Sequence, residues 1–299
     1  MIRCTTALPV RGSEHSLTIL GDPSLEKWSM ITTHGRVSFM IAVIYAFTAL
    51  TLAMTVGWLI WKKTRNSGWI DTTWTFSLGV TAVLGALLGS GLSERAVLVS
   101  VLVGIWAGRL GLHIALRTTT ITDDPRYARL IAGWGANATR EMFWFAQKQA
   151  WVSVPLVLSI LCAAWNPTDG FRLQDFVGAA LLIAAVGGEA LADHQLKSFR
   201  DDPQNRRRVC DQGLWRYSRH PNYFFEWVCW LAYPVIAIDL QNGYAWEWFA
   251  ISAPIIMYFL LVRVSGIPLL EQHMLNRSGD EFRKYQLRTN AFFPGPPKY

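Results

Sequence analysis

Long apolar stretches recur along the whole chain. A helix needs about 20 mostly apolar residues to cross roughly 30 Å of hydrocarbon. Residues 177–186 are small or aliphatic throughout, whereas strands of a membrane β-barrel would alternate in polarity. The pattern therefore predicts an all-α integral membrane protein with seven transmembrane helices. They are predicted at approximately residues 37–61, 69–90, 95–116, 144–165, 174–196, 221–240 and 244–264.

Lysine and arginine fall mainly in the loops after the first, third, fifth and seventh predicted helices. These loops hold most of the 28 basic residues, whereas the three opposite loops offer only Arg95 and Arg172. Because loops rich in lysine and arginine stay in the cytoplasm, we expect an outside amino terminus and a cytoplasmic carboxyl terminus. Residues 1–35 lack the long apolar core of a secretory signal peptide. We expect them to form a flexible tail before a single domain of residues 36–299, with Met1 and Met30 both open as start sites.

The composition of the 299 residues excludes most soluble enzymes. Apolar residues make up 52% and charged residues only 16%, against about 25% charged in a typical soluble domain. The net charge of +7 is explained by the basic loops, so nucleic-acid binding is not predicted. The four cysteines have neither metal-ligand nor disulfide-framework spacing, and no metal is expected. We expect a monomer in a bacterial inner membrane or an endoplasmic-reticulum-type membrane, with membrane lipid and a hydrophobic small molecule as partners.

Polar residues repeat at four-residue spacing near the cytoplasmic ends of three predicted helices. The third helix carries Arg109 and His113, and the sixth carries Asn222, Glu226 and Trp230. The fifth carries Glu189 and Asp193, followed one and two turns later by Lys197 and Arg200. Residues four apart share one helix face, and ionisable groups inside membranes are costly. A single polar pair is as readily explained as a bond between helices. Three stripes at one membrane face favour a functional site.

The loop at residues 199–208 is rich in arginine. It contains Arg200, Arg206, Arg207 and Arg208. Guanidinium groups bind phosphate through paired hydrogen bonds, so this loop is a candidate for holding a nucleotide's phosphates. The alternative is an ordinary basic loop that attracts anionic lipid. Since neither GxGxxG nor a P-loop occurs, the helices themselves must hold any nucleotide.

The segment Arg219–Tyr223, RHPNY, followed by Glu226, carries a family resemblance. It resembles the carboxyl-terminal half of the steroid 5-alpha-reductase-like membrane proteins, including the bacterial DUF1295 branch. It is also similar to sterol reductases and isoprenylcysteine-type methyltransferases. Residues 192–200 resemble the reductases' AD-x-Q-x-x-x-FR block, and residues 266–271 with 291–294 look like their carboxyl end. The resemblance covers roughly residues 175–295, which we expect to form the cofactor-binding part.

This resemblance implies seven membrane helices with NADPH held between their cytoplasmic halves. It also implies cofactor-binding roles for residues at matching positions. These are Glu189, Asp193, Arg200, Arg208, His220, Asn222, Tyr223, Glu226, Trp230 and Glu271. Glu189 replaces an asparagine of the family, and RHP stands where mammalian steroid enzymes have a different short segment.

The implied reaction is hydride transfer from NADPH to the β carbon of an enone-like double bond in a steroid- or lipid-like substrate. While the hydride is delivered, an acid hydrogen-bonds the carbonyl and stabilises the enolate. In the steroid enzymes a carboxylate and a tyrosine of the amino-terminal half do this, and the candidates here are Asp71, His113 and Tyr127. Asp71 at the start of the second predicted helix is our first choice as acid. A carboxylate stabilised there by the helix dipole is the alternative interpretation.

Two other functions remain open. An S-adenosylmethionine-dependent methyltransferase of a lipid or prenylated thiol would use the same RHPNY segment. Its cofactor carries no phosphate, so the arginine cluster would be superfluous. A transport protein would use Glu189 and Asp193 as a proton path, but the sequence has no matched pair of broken helices.

Overall fold

The computed structural model describes residues 23–89, 93–121, 123–205, 208–241, 243–244 and 246–298, without the side chains of 23–37 and 125–126. Over these ranges the fold is all-α, as predicted, and contains no strand. The helices are α1 (Pro23–Thr64), α2 (Gly68–Gly89), α3 (Glu94–Thr120), α4 (Pro125–Trp134), α5 (Ala138–Ala164), α6 (Leu173–Asp201), α7 (Pro221–Ala237), α8 (Ser252–Phe259) and α9 (Ile267–Arg288). Helix α1 begins inside the segment predicted as a tail, and residues 1–22 lie outside the described residues.

Six described helical segments are long and apolar enough to cross a membrane. They are Ser38–Thr64, Gly68–Gly89, Glu94–Thr120, Tyr127–Ala164, Leu173–Asp201 and Glu247–Arg288. The predicted span at 221–240 corresponds to α7, which has only 17 residues and is not among the six. The protein therefore has the helices of a multi-pass membrane protein, but the predicted count of seven crossings is not confirmed.

Small residues bring neighbouring helices into close contact. A Cβ atom on Gly79 of α2 would lie 2.4 Å from the Cβ of Ala107 on α3, and one on Gly178 of α6 would lie 2.5 Å from Ile236 of α7. Such close approach is typical of helix pairs in membranes. The fully buried Trp106 and Trp230 fill the centre of the bundle between these pairs.

One end of the bundle gathers the basic loops, and we call it the basic end. Here α1, α3, α6 and α9 finish, while α2 and α7 begin. The Asn66 side chain after α1 donates to the Thr118 carbonyl at the end of α3 at 2.9 Å. Arg219, before α7, donates to the carbonyl of Thr289, which follows α9, at 2.5 Å. The polar stripes of α3, α6 and α7 therefore meet near the same end.

Buried ion pairs join the helices at the opposite end. Arg95 of α3 lies 3.1 Å from Asp175 of α6, and Arg172 lies 3.2 Å from Asp239 beyond α7. The Asp175 side chain is completely buried. In the sequence these two arginines indicate only the orientation of the chain. Their partners are distant in sequence and meet them only in the folded chain. We call these four residues the opposite-end clamp.

Candidate functional site

The three polar stripes predicted from four-residue spacing face one another. Arg109 of α3 lies 2.7 Å from Glu189 and 2.5 Å from Asp193, both on α6. Asp193 also accepts a hydrogen bond from the Asn222 side chain of α7 at 3.1 Å. His113 lies at the edge, with Nε2 3.5 Å from Asp193, and its side chain is 40% exposed. Arg109 therefore connects α3 to both carboxylates of α6, and Asp193 connects α6 to α7.

Glu226 of α7 completes this group. Its Oε2 accepts the indole N–H of Trp106 at 2.8 Å, and its Oε1 accepts that of Trp230 at 2.9 Å. The two indole rings meet edge to face, with centroids 5.1 Å apart. Trp106 was not predicted as a site residue, although it lies three residues before Arg109 on the same face of α3. We call Arg109, Glu189, Asp193, Asn222 and Glu226 the carboxylate cluster.

Two of the three predicted catalytic residues are in direct contact. The Tyr127 hydroxyl donates to Oδ1 of Asp71 at 2.6 Å, and we call these two residues the acid pair. Tyr127 lies on the short helix α4, between the third and fourth predicted membrane helices. Gln149 of α5 donates to the Tyr127 hydroxyl oxygen at 3.5 Å and was not predicted. His113, the third predicted catalytic residue, faces Asp193 instead.

Aromatic side chains connect the acid pair with the carboxylate cluster. Trp74, one turn after Asp71 on α2, meets Trp106 edge to face with centroids 6.3 Å apart. Its indole N–H donates to Ser153 of α5 at 2.6 Å, which fixes the ring. On the other side Phe145 packs edge to face on Tyr127 at 5.5 Å. The two groups are therefore connected through apolar side chains.

A pocket of about 320 Å³ opens at the basic end, beyond the last turns of α6. Arg200 and Arg208, both predicted to bind phosphate, line it together with Arg277 of α9, which was not predicted. Arg206 and Arg207 lie outside the described residues. Cys210 also lines the pocket, and burial raises the pKa of its thiol. The thiol therefore stays neutral and adds no negative charge beside the guanidinium groups. We call this cavity the guanidinium pocket.

The RHPNY segment forms a turn that ties α7 to α9. Arg219 Nε lies 2.7 Å from Oε1 of Glu271, and Nε2 of His220 lies 3.0 Å from the same oxygen. Burial lowers the pKa of His220, and because a carboxylate only accepts, Nε2 carries the proton of the neutral ring. Tyr223 stacks on His220 with centroids 5.5 Å apart. His220 and Glu271, both predicted cofactor ligands, thus bind each other.

No curated protein and no solved structure matches the chain. A family model described as "Protein of unknown function (DUF1295)" matches residues 57–289. The match covers more than half of the chain and includes the acid pair, the carboxylate cluster and the guanidinium pocket. The chain belongs to the DUF1295 family, the branch that the RHPNY resemblance indicated.

Proposed function

We propose that this protein is a membrane-embedded, NADPH-dependent reductase of a carbon–carbon double bond in a hydrophobic, enone-like substrate. The proposal depends on one observation, which is that a phosphate-binding type of pocket and a proton-donor pair occur in the same helical bundle. A pocket with three guanidinium groups and a hydrogen-bonded carboxyl–phenol pair both lie toward the basic end. Helix α6 carries both Arg200 of the pocket and Glu189 and Asp193 of the buried carboxylate cluster.

The residues of the guanidinium pocket fit the phosphates of a dinucleotide. Arg200, Arg208 and Arg277 surround it, with Asp202 as the single carboxylate among the described lining residues. Arginine binds phosphate through paired donors. Glu189 precedes Arg200 by eleven residues on α6, which is about 16 Å along the helix. A dinucleotide with its phosphates at Arg200 would therefore extend to the carboxylate cluster, where Asp193 and Asn222 would hold its ribose or amide groups.

The acid pair suits the stabilisation of the carbonyl oxygen in the proposed reaction. NADPH, when bound, supplies the hydride. Tyr127 is 4% exposed, and Asp71 accepts the hydrogen bond of its hydroxyl. When substrate is bound, the hydroxyl turns its hydrogen from Asp71 to the substrate carbonyl oxygen and stabilises the negative charge that develops there. Such a hydrogen bond is stronger in an apolar, water-poor site than in water. Trp74, Trp106 and Phe145 supply that apolar surface, which favours a hydrophobic substrate.

We also propose that α7 is a seventh membrane crossing. Asn222 in its first turn contacts Asp193, near the end of α6. At its other end, the Ala237 carbonyl accepts a hydrogen bond from Asn166, which precedes α6, at 2.8 Å. Helix α7 therefore runs antiparallel to a membrane-length helix. Its 17 residues extend about 26 Å, close to the roughly 30 Å of the hydrocarbon layer. With seven crossings and a cytoplasmic basic end, the amino terminus lies outside.

Thermal unfolding of the detergent-purified protein tests the cofactor. A ligand that binds only the folded state raises the unfolding temperature, so NADPH should raise it and S-adenosylmethionine should not. Arg200→Ala and Arg277→Ala should each weaken NADPH binding about tenfold or more, because a charge-assisted hydrogen bond contributes roughly 1.5–3 kcal/mol. Arg283→Ala is the matched control, since its side chain is 71% exposed and pairs only with Asp280 among the described residues.

Two results would contradict the proposal. Stabilisation by S-adenosylmethionine alone would favour the methyltransferase. NADPH affinity that is unchanged in both pocket variants would remove the phosphate assignment. If NADPH binds as expected, cofactor oxidation with a panel of enone lipids identifies the substrate class.

A further inference from the structure

A second pocket lies beside the carboxyl-terminal tail of the chain, at the basic end. Its volume is about 410 Å³, and among the described residues it shares no lining residue with the guanidinium pocket. Three cations line it, Arg216 before α7, Arg288 in the last turn of α9 and Lys298 of the tail. Asp211 is the single carboxylate among its described lining residues. Three positive charges against one negative charge leave an excess of two, and we call this cavity the tail pocket.

The folded-back tail brings these cations together. The Lys298 backbone N–H donates to the Arg288 carbonyl at 2.7 Å, and the Gly295 N–H donates to the Tyr217 carbonyl at 3.0 Å. The tail is therefore fixed both to the end of α9 and to the segment that carries Arg216. The three cations are distant in sequence, and the fold holds them around one cavity.

Two of the three cations are available for an anion. Arg288 forms an ion pair with Asp211, so its charge is already compensated. Arg216 and Lys298 have no acidic partner among the described residues, and both are exposed. Phosphate oxygens accept paired hydrogen bonds from a guanidinium group and bind an ammonium group as a point charge. The tail pocket therefore suits a phosphate group.

Exposed apolar side chains adjoin the cations of the tail pocket. Tyr217 follows Arg216 and is half-exposed, while Leu287 precedes Arg288 and is 78% exposed. A site for a small water-soluble anion has no use for apolar surface beside it. A lipid offers both a charged headgroup and apolar chains, so these neighbours favour a phosphate that belongs to a lipid.

The tail also reaches the membrane helices. Phe293 stacks on Tyr258 of α8 with centroids 6.0 Å apart, and it meets Trp227 of α7 edge to face at 5.7 Å. Tyr258 belongs to the membrane-length segment Glu247–Arg288. Lys298 follows Phe293 by five residues, which span at most about 18 Å of chain. The tail pocket therefore lies within reach of the headgroup layer.

We propose that the tail pocket binds the phosphate of an anionic lipid headgroup, with the lipid's apolar part beside Tyr217 and Leu287. Basic pockets at the cytoplasmic side of membrane helices bind such headgroups, and the cytoplasmic leaflet carries anionic lipids. Inorganic phosphate has the same charged group but no apolar part. This inference does not depend on the proposed reaction, because the tail pocket includes no residue of the acid pair, the carboxylate cluster or the guanidinium pocket.

Native mass spectrometry of the detergent-purified full chain tests this proposal. Dioctanoyl phosphatidylglycerol and dioctanoyl phosphatidylcholine are added in separate titrations, because they have the same acyl chains and differ in net charge. We expect wild type to bind phosphatidylglycerol more tightly. The double variant Arg216→Ala/Lys298→Ala should bind phosphatidylglycerol about 25-fold more weakly, because each cation near anionic lipid contributes roughly a fivefold gain in affinity. Its affinity for phosphatidylcholine should stay unchanged.

Arg283→Ala/Lys284→Ala is the matched control. It removes two exposed positive charges from α9 at residues that do not line the tail pocket, and it should bind phosphatidylglycerol like wild type. Arg216 and Lys298 are exposed as well, so both double variants should unfold at the wild-type temperature. An equal loss of phosphatidylglycerol affinity in the two double variants, or no loss in either, would overturn the proposal.

Two further measurements separate the lipid from other sources of phosphate. Inorganic phosphate should not displace phosphatidylglycerol at equal concentration; displacement would assign the tail pocket to a soluble anion. The NADPH affinity of Arg216→Ala/Lys298→Ala should equal that of wild type, and a specific loss would make the pocket part of the cofactor site. Either result would overturn the lipid assignment. Wild type that binds phosphatidylglycerol as expected but does not bind NADPH would contradict the proposed function alone.

Discussion

The hydrogen bond from Tyr127 to Asp71 joins residues that are 56 positions apart. If the hydroxyl stabilises negative charge on a substrate carbonyl, Tyr127→Phe removes the donor and keeps the ring that packs on Phe145. We expect turnover to fall by about a hundredfold or more, the usual size of such an effect. The affinity for NADPH should stay unchanged. Cofactor oxidation under saturating substrate measures the rate.

Tyr217→Phe is the matched control for this prediction. Its side chain lies at the basic end and is 46% exposed, so its loss of a hydroxyl should not alter turnover. A Tyr127→Phe variant that reduces substrate at the wild-type rate would show that the acid pair only connects α4 to α2.

Single residues differ in how far the sequence could identify them. Four-residue spacing identified Arg109, Glu189 and Asp193, because helix periodicity places polar residues on one face before any fold is known. Trp106 and Arg277 escaped detection. From the sequence, Trp106 in an apolar helix is expected to be a packing residue, because its hydrogen bond to Glu226 depends on the fold. Arg277 joins the guanidinium pocket only because α9 returns to the end of α6.

At the scale of helices, the opposite-end clamp fixes α3 against α6. Arg95 donates to both oxygens of Asp175 at 3.1 Å and to the carbonyls of Asn166 and Thr168 at 3.0 and 2.6 Å. Asp175→Asn leaves a buried guanidinium without its counterion. Removing one member of a buried pair costs about 3–5 kcal/mol, so we expect a large loss of unfolding free energy. Chemical denaturation in detergent measures it.

Arg140→Ala provides the comparison for the clamp. Arg140 pairs with Glu141 at 3.0 Å, but its side chain is 68% exposed, and such pairs contribute roughly 0–1 kcal/mol. Equal losses in the two variants would mean that the clamp does not hold the bundle. Asp175→Asn should keep its NADPH affinity while folded, because the guanidinium pocket lies at the other end.

Helix boundaries were predicted well where apolar composition alone decides them. The predicted window 69–90 nearly coincides with α2, whereas the single helix predicted at 244–264 is divided. It contains a 3₁₀ turn, α8 and a π-helical turn at Leu260–Val264, and α9 follows. A Cβ on Gly266 would lie 2.3 Å from the Leu261 carbonyl oxygen. Hydropathy does not predict the change between 3₁₀, α and π helix in this segment, because that change depends on backbone packing.

For the whole molecule, polarity is divided between two ends. The basic end holds the guanidinium pocket and the start of α7, while the clamp occupies the other end with paired charges. Residue patterns predicted this division because the loops alternate in charge. They did not determine the number of crossings, since α7 is shorter than a typical spanning helix and its path depends on its contacts with α6.

Cysteine accessibility can count the crossings in this region. Asp169→Cys, Arg216→Cys and Arg283→Cys place single thiols before α6, between α6 and α7, and near the end of α9, all at exposed positions. A membrane-impermeant maleimide is applied to intact cells and then to permeabilised cells. Cys162, Cys210 and Cys229 are buried, and Cys4→Ser removes the remaining native thiol.

If α7 crosses the membrane, the thiols at 216 and 283 lie on one side and the thiol at 169 lies on the other. We expect position 169 to react in intact cells and the other two only after permeabilisation, because basic loops face the cytoplasm. If α7 does not cross, α6 still separates 169 from 216, but the segment Glu247–Arg288 then carries position 283 to the same side as 169. Matching reactivity at 169 and 283 would therefore contradict the seventh crossing. It would also require the α7 part of the carboxylate cluster to lie outside the hydrocarbon layer.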